Sequence, residues 1–173
     1  MSWWTTALYD TCSLITLDKL LLERAALVRH FPKSILALER SFCGDQLRKD
    51  TAERMRVRVT MQELPSAAEL TRILSSAGLS KALAEVDTLV YATAVHFGLS
   101  VVTGDRQLGR AIRDAGLGVA DMALILRELV HSRRLTESGC ERLLQELAAR
   151  DDFLLRSPSP TWAELAKHKF PDR

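Results

Sequence analysis

Three aspartates stand at positions where a parallel sheet would bring them together. Asp10 ends the first apolar run of the chain, and Asp105 lies just past the β-branched run Ser100–Thr103. Asp87 opens an apolar segment that reaches Phe97, and a helix of that length descends about 15 Å before the next strand climbs back by a similar distance. We therefore predict that the three carboxylates meet at the carboxyl edge of the sheet, where open α/β sheets bind ligands.

Carboxylates gathered in one cleft repel each other unless protons or hard divalent cations neutralise them. Oxygen ligands suit Mg²⁺ or Mn²⁺ better than zinc, so the pattern predicts a site for one of these two ions. Glu39 ends the second apolar run and is the candidate fourth acid, and Glu85 is its rival.

Each acid also fits a local structural role. Asp10 and Asp87 can cap helices, Asp105 can occupy a turn, and Glu39 can be a solvated carboxylate at the end of a strand. The predicted placement of the aspartates at one sheet edge is what favours a metal site over these separate explanations.

Two stretches of the chain resemble PIN-domain proteins. The run Tyr9-Asp10-Thr11-Cys12-Ser13-Leu14 resembles the family's opening strand and acid-hydroxyl motif, and the segment from Asp87 to Asp105 resembles its central and closing acidic motifs. The resemblance covers about residues 6 to 120. It implies a parallel α/β/α fold and a ribonuclease dependent on Mg²⁺ or Mn²⁺, and many members are VapC-type toxins of bacterial toxin–antitoxin pairs.

The resemblance also assigns roles to individual residues. Asp10, Asp87 and Asp105 match metal-binding acids, Glu39 matches the second acid, and Ser13 and Thr103 match hydroxyls that support the cluster. The chain departs most from the family around Glu39, where members usually show a clearer strand-loop-helix. The two hydroxyls equally fit local hydrogen bonding to the backbone.

The chemistry of phosphodiester hydrolysis agrees with such a site. The reaction needs a nucleophilic water and stabilised charge on the phosphate oxygens, both of which carboxylate-held metal ions supply. It requires no serine or cysteine nucleophile.

Strands that alternate with helices predict an α/β fold built on a parallel sheet with right-handed crossovers. The predicted strands are Ala7–Asp10, Arg56–Leu64 near a sheet edge, Ser100–Thr103 and Leu117–Ala120, while Ser34–Glu39 is either strand or helix. The predicted helices are Leu14–Arg29, Ser41–Arg54, Ser66–Ala77, one starting near Ser80, Asp87–Phe97 and Arg106–Ala115.

The sequence after residue 120 is helical in pattern. Helices are predicted at Met122–Leu135, Ser138–Arg150 and Thr161–Lys169. We expect a three-layer α/β/α PIN-like domain over residues 1–120. Residues 121–173 are expected to form a helical C-terminal extension that packs on that domain or continues it.

Other features carry a weaker signal. Arg106, Arg110 and Arg113 share one helix face and are candidates for binding RNA phosphates, although a solvated face explains them equally well. Trp3-Trp4 suits either base stacking or an N-terminal hydrophobic contact. The four histidines do not cluster in the sequence, so no histidine-based metal site is predicted.

Composition excludes several classes of protein. With 24 Lys and Arg against 22 Asp and Glu, the net charge of +2 is too balanced for histone-like wrapping of nucleic acid. No apolar run reaches the roughly 18 residues of a membrane span, and three scattered cysteines favour reduced thiols in the cytoplasm. A P-loop and a dinucleotide fingerprint are both missing, which disfavours ATPases and dehydrogenases.

The function expected from the sequence is a metal-dependent endoribonuclease with catalytic acids Asp10, Glu39, Asp87 and Asp105. RNA is the expected substrate, an antitoxin the expected protein partner, and a homodimer the expected assembly. The alternative is a catalytically degenerate PIN-like module that binds RNA or a protein. The position of Glu39 relative to the three aspartates distinguishes the two.

Overall fold

The computed structural model describes residues 3–23, 25–43, 47, 55, 57–79, 82–150, 152, 154–155, 157 and 159–170. Within them the chain forms a five-stranded, all-parallel sheet with helices on both faces, which confirms the predicted α/β class. The strand order is β3-β2-β1-β4-β5. The strands are β1 Leu8–Tyr9, β2 Ser34–Ala37, β3 Arg58–Met61, β4 Val101–Val102 and β5 Val119–Ala120.

Alternate residues of the central strands enter two separate cores. Leu8 of β1 belongs to one buried cluster with Val101, and Tyr9 belongs to the other with Val102. Leu8 is paired with Val101 and Tyr9 with Val102 in the sheet register. Because successive side chains of a strand point to opposite faces, both faces of the sheet are covered. This arrangement is compatible with three α/β/α layers.

The described part of the chain contains seven α-helices. They are α1 Thr11–Glu23, α2 Ala67–Ser76, α3 Glu85–Phe97, α4 Arg106–Asp114, α5 Met122–His131, α6 Glu137–Ala148 and α7 Trp162–Lys167. Short 3₁₀ helices span Trp3–Thr6, Ala25–His30 and Glu39–Phe42. None of the described helices combines the length and the apolar character that crossing a membrane would need.

The three C-terminal helices share a core with the start of the chain. Leu14 and Leu17 of α1 lie in the same buried cluster as Leu126 of α5, Leu143 of α6 and Leu165 of α7. The described helices after residue 121 therefore bury their apolar faces against the helix that follows β1.

The first helix differs from its predicted span of Leu14–Arg29. It begins at Thr11, because the Asp10 side chain accepts a hydrogen bond from the Ser13 amide and Leu14 N bonds to Asp10 O. Residues Ala25–His30 form a 3₁₀ helix instead of continuing the α-helix. The following Pro32 disfavours helix at the residue before it, which agrees with this early change of geometry.

The second apolar run is a strand over Ser34–Ala37, which resolves the ambiguity between strand and helix. The predicted helix Ser41–Arg54 falls mostly outside the described residues, and its first two residues end the 3₁₀ helix Glu39–Phe42. The helix start predicted near Ser80 also lies outside them. β3 is an edge strand as predicted, with Arg58 exposed.

The predicted helix that begins after Ser66 is confirmed, and the Ser66 hydroxyl accepts a hydrogen bond from the Glu69 amide. The hydrophobic contact predicted at the N-terminus is confirmed for Trp4, whose ring packs against Phe31 with 5.5 Å between centroids. The side chain of Trp3 lies outside the described set.

The shared core predicts the effect of shortening one leucine in the last helix. Leu165 is 0% exposed, so Leu165→Ala should lower the free energy of unfolding by about 2–5 kcal/mol in urea denaturation. Leu22→Ala is the matched control, because Leu22 is 62% exposed and its loss should change stability by no more than about 0.5 kcal/mol. Equal, small effects of both substitutions would show that the C-terminal helices are not part of the cooperative unit.

Candidate metal site at the carboxyl edge of the sheet

The order of the strands places a crevice beside β1. The chain runs outward from β1 through β2 to β3, then returns to the other side of β1 for β4 and β5. Such a reversal separates the loops that follow the two central strands, and ligands of open α/β sheets bind there. Asp10 directly follows β1, and Asp105 follows β4 by three residues.

Asp10 is buried at this edge of the sheet. It is only 1% exposed, and its carboxylate accepts hydrogen bonds from the Ser13 amide at 2.8 Å, the Cys12 thiol at 3.0–3.1 Å and the Thr103 hydroxyl. Burial raises the pKa of Asp10, and the hydrogen bonds from Thr103, Cys12 and Ser13 oppose that shift. Both carboxylate oxygens are therefore fixed by neighbouring donors.

Thr103 connects Asp10 to Asp105. Its hydroxyl donates to Asp10 and accepts the Asp105 amide at 3.0 Å. The Asp105 side chain in turn caps α4 by accepting the Leu108 amide at 2.8 Å. Thr103 thus has a position that orients two of the predicted acids.

The other predicted supporting hydroxyl, that of Ser13, is placed differently. Ser13 holds Asp10 through its backbone amide, and its Oγ has no hydrogen-bond partner among the described residues. The hydroxyl is still near enough to Asp10 to help lower the pKa of that carboxyl.

Asp87 lies in the first turn of α3 and completes the group. Burial, followed by the charges of Asp10 and Asp105, raises the pKa of Asp87 to about 6, while a backbone hydrogen bond from Ala84 acts in the opposite direction. The helix begins two residues earlier than predicted, and Ala84 is its N-cap, so Asp87 is not the capping residue. The structure brings the three aspartates within electrostatic reach of each other.

The two candidate fourth acids stand on the surface. Glu39 is an exposed residue of the 3₁₀ helix Glu39–Phe42. The Glu85 side chain is 76% exposed and pairs with Arg40 at 3.6 Å. The carboxylates that raise the pKa of Asp87 are those of Asp10 and Asp105.

The donor set suits Mg²⁺ or Mn²⁺ in kind, since it consists of carboxylate oxygens. Among the described residues, however, no group of three or more His, Cys, Asp or Glu side chains is placed to hold one metal ion together. Mg²⁺ commonly binds through one or two carboxylates and keeps several water ligands, so such an ion does not require a group of three. Of the three predicted aspartates, Asp87 and Asp105 are partly exposed, whereas Asp10 is buried.

A cleft of about 620 Å³ opens beside Asp105. Arg106 lines this cleft, whereas Arg110 lines a second cavity next to Tyr91. Arg113 donates to the backbone carbonyl of Phe170 at 2.8 Å. The three arginines of the predicted RNA-binding face thus have three different surroundings.

The cleft is also lined by Cys12, Asp121 and His168, for which the sequence pattern had indicated no role in a site. Asp121 follows β5 and caps α5 through the Leu124 amide at 2.8 Å, and its other oxygen contacts His168 Nε2 at 2.6 Å. Asp121 follows the end of a predicted strand, as Asp10 does, so the same rule would have found it. His168 gave no such signal, because its partner is 47 residues away.

Comparisons with protein-family models, with curated proteins and with solved structures found no match to this chain.

The electrostatic coupling of the aspartates predicts a shift that NMR can measure. In Asp105→Asn the pKa of Asp87 should fall below its parent value of about 6, because one repelling charge is removed. Titration of the side-chain carboxyl carbon measures it directly. Asp114→Asn removes an exposed charge from the same helix and should leave Asp87 unchanged; equal Asp87 pKa values in all three proteins would refute the cluster.

The raised pKa of Asp87 also predicts a pH dependence of stability. The folded pKa of about 6 exceeds the ordinary value of 3.8, so between these values the native state binds more protons than the unfolded chain. Stability should therefore fall as pH rises from about 4 to about 6, and less steeply in Asp87→Asn than in the parent. Urea denaturation across this range tests it, and parallel curves for the two proteins would contradict the assignment.

Proposed function

We propose that this protein is an endoribonuclease of the PIN-domain type that depends on Mg²⁺ or Mn²⁺. The observation that carries the proposal is the coupling of Asp87 to Asp10 and Asp105 at the carboxyl ends of β1 and β4. Like charges kept together at a sheet edge lower the stability of the folded protein unless a proton or a cation neutralises them. Carboxylates with perturbed pKa values are a common property of functional sites.

Asp87 and Asp105 would hold the cation, and Asp10 would supply negative charge from beneath it. The Cys12 thiol is the weakest of the three donors to Asp10, so the Ser13 amide and the Thr103 hydroxyl would chiefly hold that carboxylate in place. When bound, the cation lowers the pKa of a coordinated water and offsets charge on the phosphate oxygens.

The protein's own groups would position the reactants. Thr103 fixes the Asp105 backbone relative to Asp10, which limits the directions in which the two carboxylates can point. Arg106 lines the cleft next to Asp105 and would attract the phosphate of the RNA strand. Orientation of this kind contributes to catalysis by keeping the reacting groups in place before the reaction.

The resemblance to VapC-type toxins supports a toxin role for this activity, with an antitoxin and a second copy of the chain as partners. A non-catalytic PIN-like module that binds RNA or a protein is the second candidate. It is favoured by the surface position of Glu39 and by the missing three-residue metal-binding group among the described side chains.

Asp105→Asn separates catalysis from folding. Asparagine caps a helix about as well as aspartate, so the contact with the Leu108 amide is kept while the charge is lost. Purified Asp105→Asn should fail to cleave a mixed RNA pool in Mn²⁺, and its stability in EDTA should equal or exceed that of the parent.

The parent should gain about 2.7 kcal/mol of stability when Mn²⁺ exceeds its Kd a hundredfold, and Asp105→Asn should gain less. Asp114→Asn is the control for both readouts, and it should cleave RNA and bind Mn²⁺ like the parent. Parent-like cleavage by Asp105→Asn would refute the assignment of the site. A parent protein that binds RNA but never cleaves it would support the non-catalytic module.

A further inference from the structure

The second cavity, which Arg110 and Tyr91 line, lies among α2, α3 and α4. Its volume is about 550 Å³, which is within the usual range of small-molecule sites. The three aspartates of the candidate metal site are not among its described lining residues. The lining residues that matter for a ligand are Leu79, Leu83, Tyr91, Gln107, Arg110 and Asp114.

The hydroxyl of Tyr91 is a polar group that a ligand could use. Tyr91 is only 7% exposed, and its ring lies in the same buried cluster as Val90 and Leu108, so the core holds the side chain in place. Its hydroxyl has no hydrogen-bond partner among the described residues, yet it is not one of the side-chain oxygens sealed from solvent. A fixed hydroxyl that reaches a cavity without a protein partner is available to a ligand.

The charged groups of the cavity balance each other. Arg110 and Asp114 lie one helical turn apart on α4, and both line the cavity. Burial, and then the charge of Asp114, raise the pKa of Tyr91, so the hydroxyl keeps its proton near neutral pH and remains a donor. A ligand with a single charge would therefore meet one attractive and one repulsive neighbour.

Apolar side chains form the rest of the surroundings. Leu79, Leu83 and Ala111 line the cavity and pack, partly buried, against the core cluster that contains Tyr91. Gln107 adds an amide that both donates and accepts hydrogen bonds. A ligand that matches this lining combines an uncharged hydrogen-bonding group with an apolar body.

We propose that the second cavity binds a small uncharged carboxamide with an apolar body. The amide oxygen would accept from the Tyr91 hydroxyl, and the amide N–H would donate to Asp114. A carboxamide carries an acceptor beside its donors and no net charge, whereas a carboxylate would be repelled by Asp114 and an ammonium by Arg110. The site is separate from the candidate metal site, so it does not depend on the proposed ribonuclease function.

The two tyrosines of the chain provide the test and its internal control. In protein labelled with ¹³C at the hydroxyl-bearing carbon of tyrosine, benzamide should shift the NMR signal of Tyr91 in a saturable way. The signal of Tyr9 should stay in place, because Tyr9 is 0% exposed in the other core cluster and its hydroxyl donates to the Trp4 carbonyl at 3.4 Å. Tyr91→Phe assigns the two signals by removing one of them.

Benzoate and benzylamine are the matched control ligands, because they keep the ring of benzamide and add one charge of either sign. Each should bind at least about fivefold more weakly than benzamide, since each loses a hydrogen bond and gains a repulsive neighbour. In Asp114→Asn the affinity for benzoate should rise about fivefold, because the charge that repels it is gone. Equal affinities of the parent for all three ligands would refute the assignment of a carboxamide.

A pair of variants tests the role of the hydroxyl by saturation-transfer NMR of benzamide itself. Tyr91→Phe should weaken benzamide binding about fivefold at an unchanged thermal midpoint, because it removes a hydroxyl that has no partner in the described structure. Tyr9→Phe is the control and should bind benzamide like the parent. An unmoved Tyr91 signal, an equal shift of Tyr9, or parent-like binding by Tyr91→Phe would each overturn the proposal.

Discussion

The carboxylate of Asp10 is removed from water, and the elements around it are arranged to supply its hydrogen bonds. An isolated buried carboxylate costs several kcal/mol, and only well-placed donors offset that cost. The donors come from the first turn of α1 and from Thr103, which follows β4. Moving either element relative to β1 would take away part of this set of donors, so this one side chain constrains the geometry of the sheet edge.

The burial of Asp10 also places its charge near two other carboxylates, which makes the ionised form of the group energetically costly. Asp87 is partly buried and stands close to the charges of Asp10 and Asp105, and burial first and these charges second raise its pKa. A fold selected for stability alone would replace one of these groups. Repulsion that persists at a ligand-accessible edge is the kind of local cost that proteins retain where function requires it.

The arrangement of the aspartates was predictable because it follows from the geometry of parallel sheets. Asp10 and Asp105 had to lie at the carboxyl edge once their strands were parallel, and the length of α3 returned Asp87 to that edge. The contact between Asp121 and His168 was not predictable, because it depends on how α5 and the C-terminal segment pack. The apolar pattern predicted that α1 begins at Leu14, whereas it begins at Thr11. The difference arises because the capping role of Asp10 depends on where β1 ends, which the pattern of apolar residues does not fix.

Two guanidinium groups hold the C-terminal segment around positions 168–170. Arg113 donates to the carbonyl of Phe170 and Arg127 donates to the carbonyl of His168, so both contacts are made with the backbone. Every residue type offers such a carbonyl, so these two contacts persist whatever side chains occupy positions 168 and 170. The course of the segment and the chemistry that it presents to the cleft are therefore largely independent. Evolution, or an engineer, can vary the lining of the cleft at these two positions while both backbone contacts stay available to hold the segment.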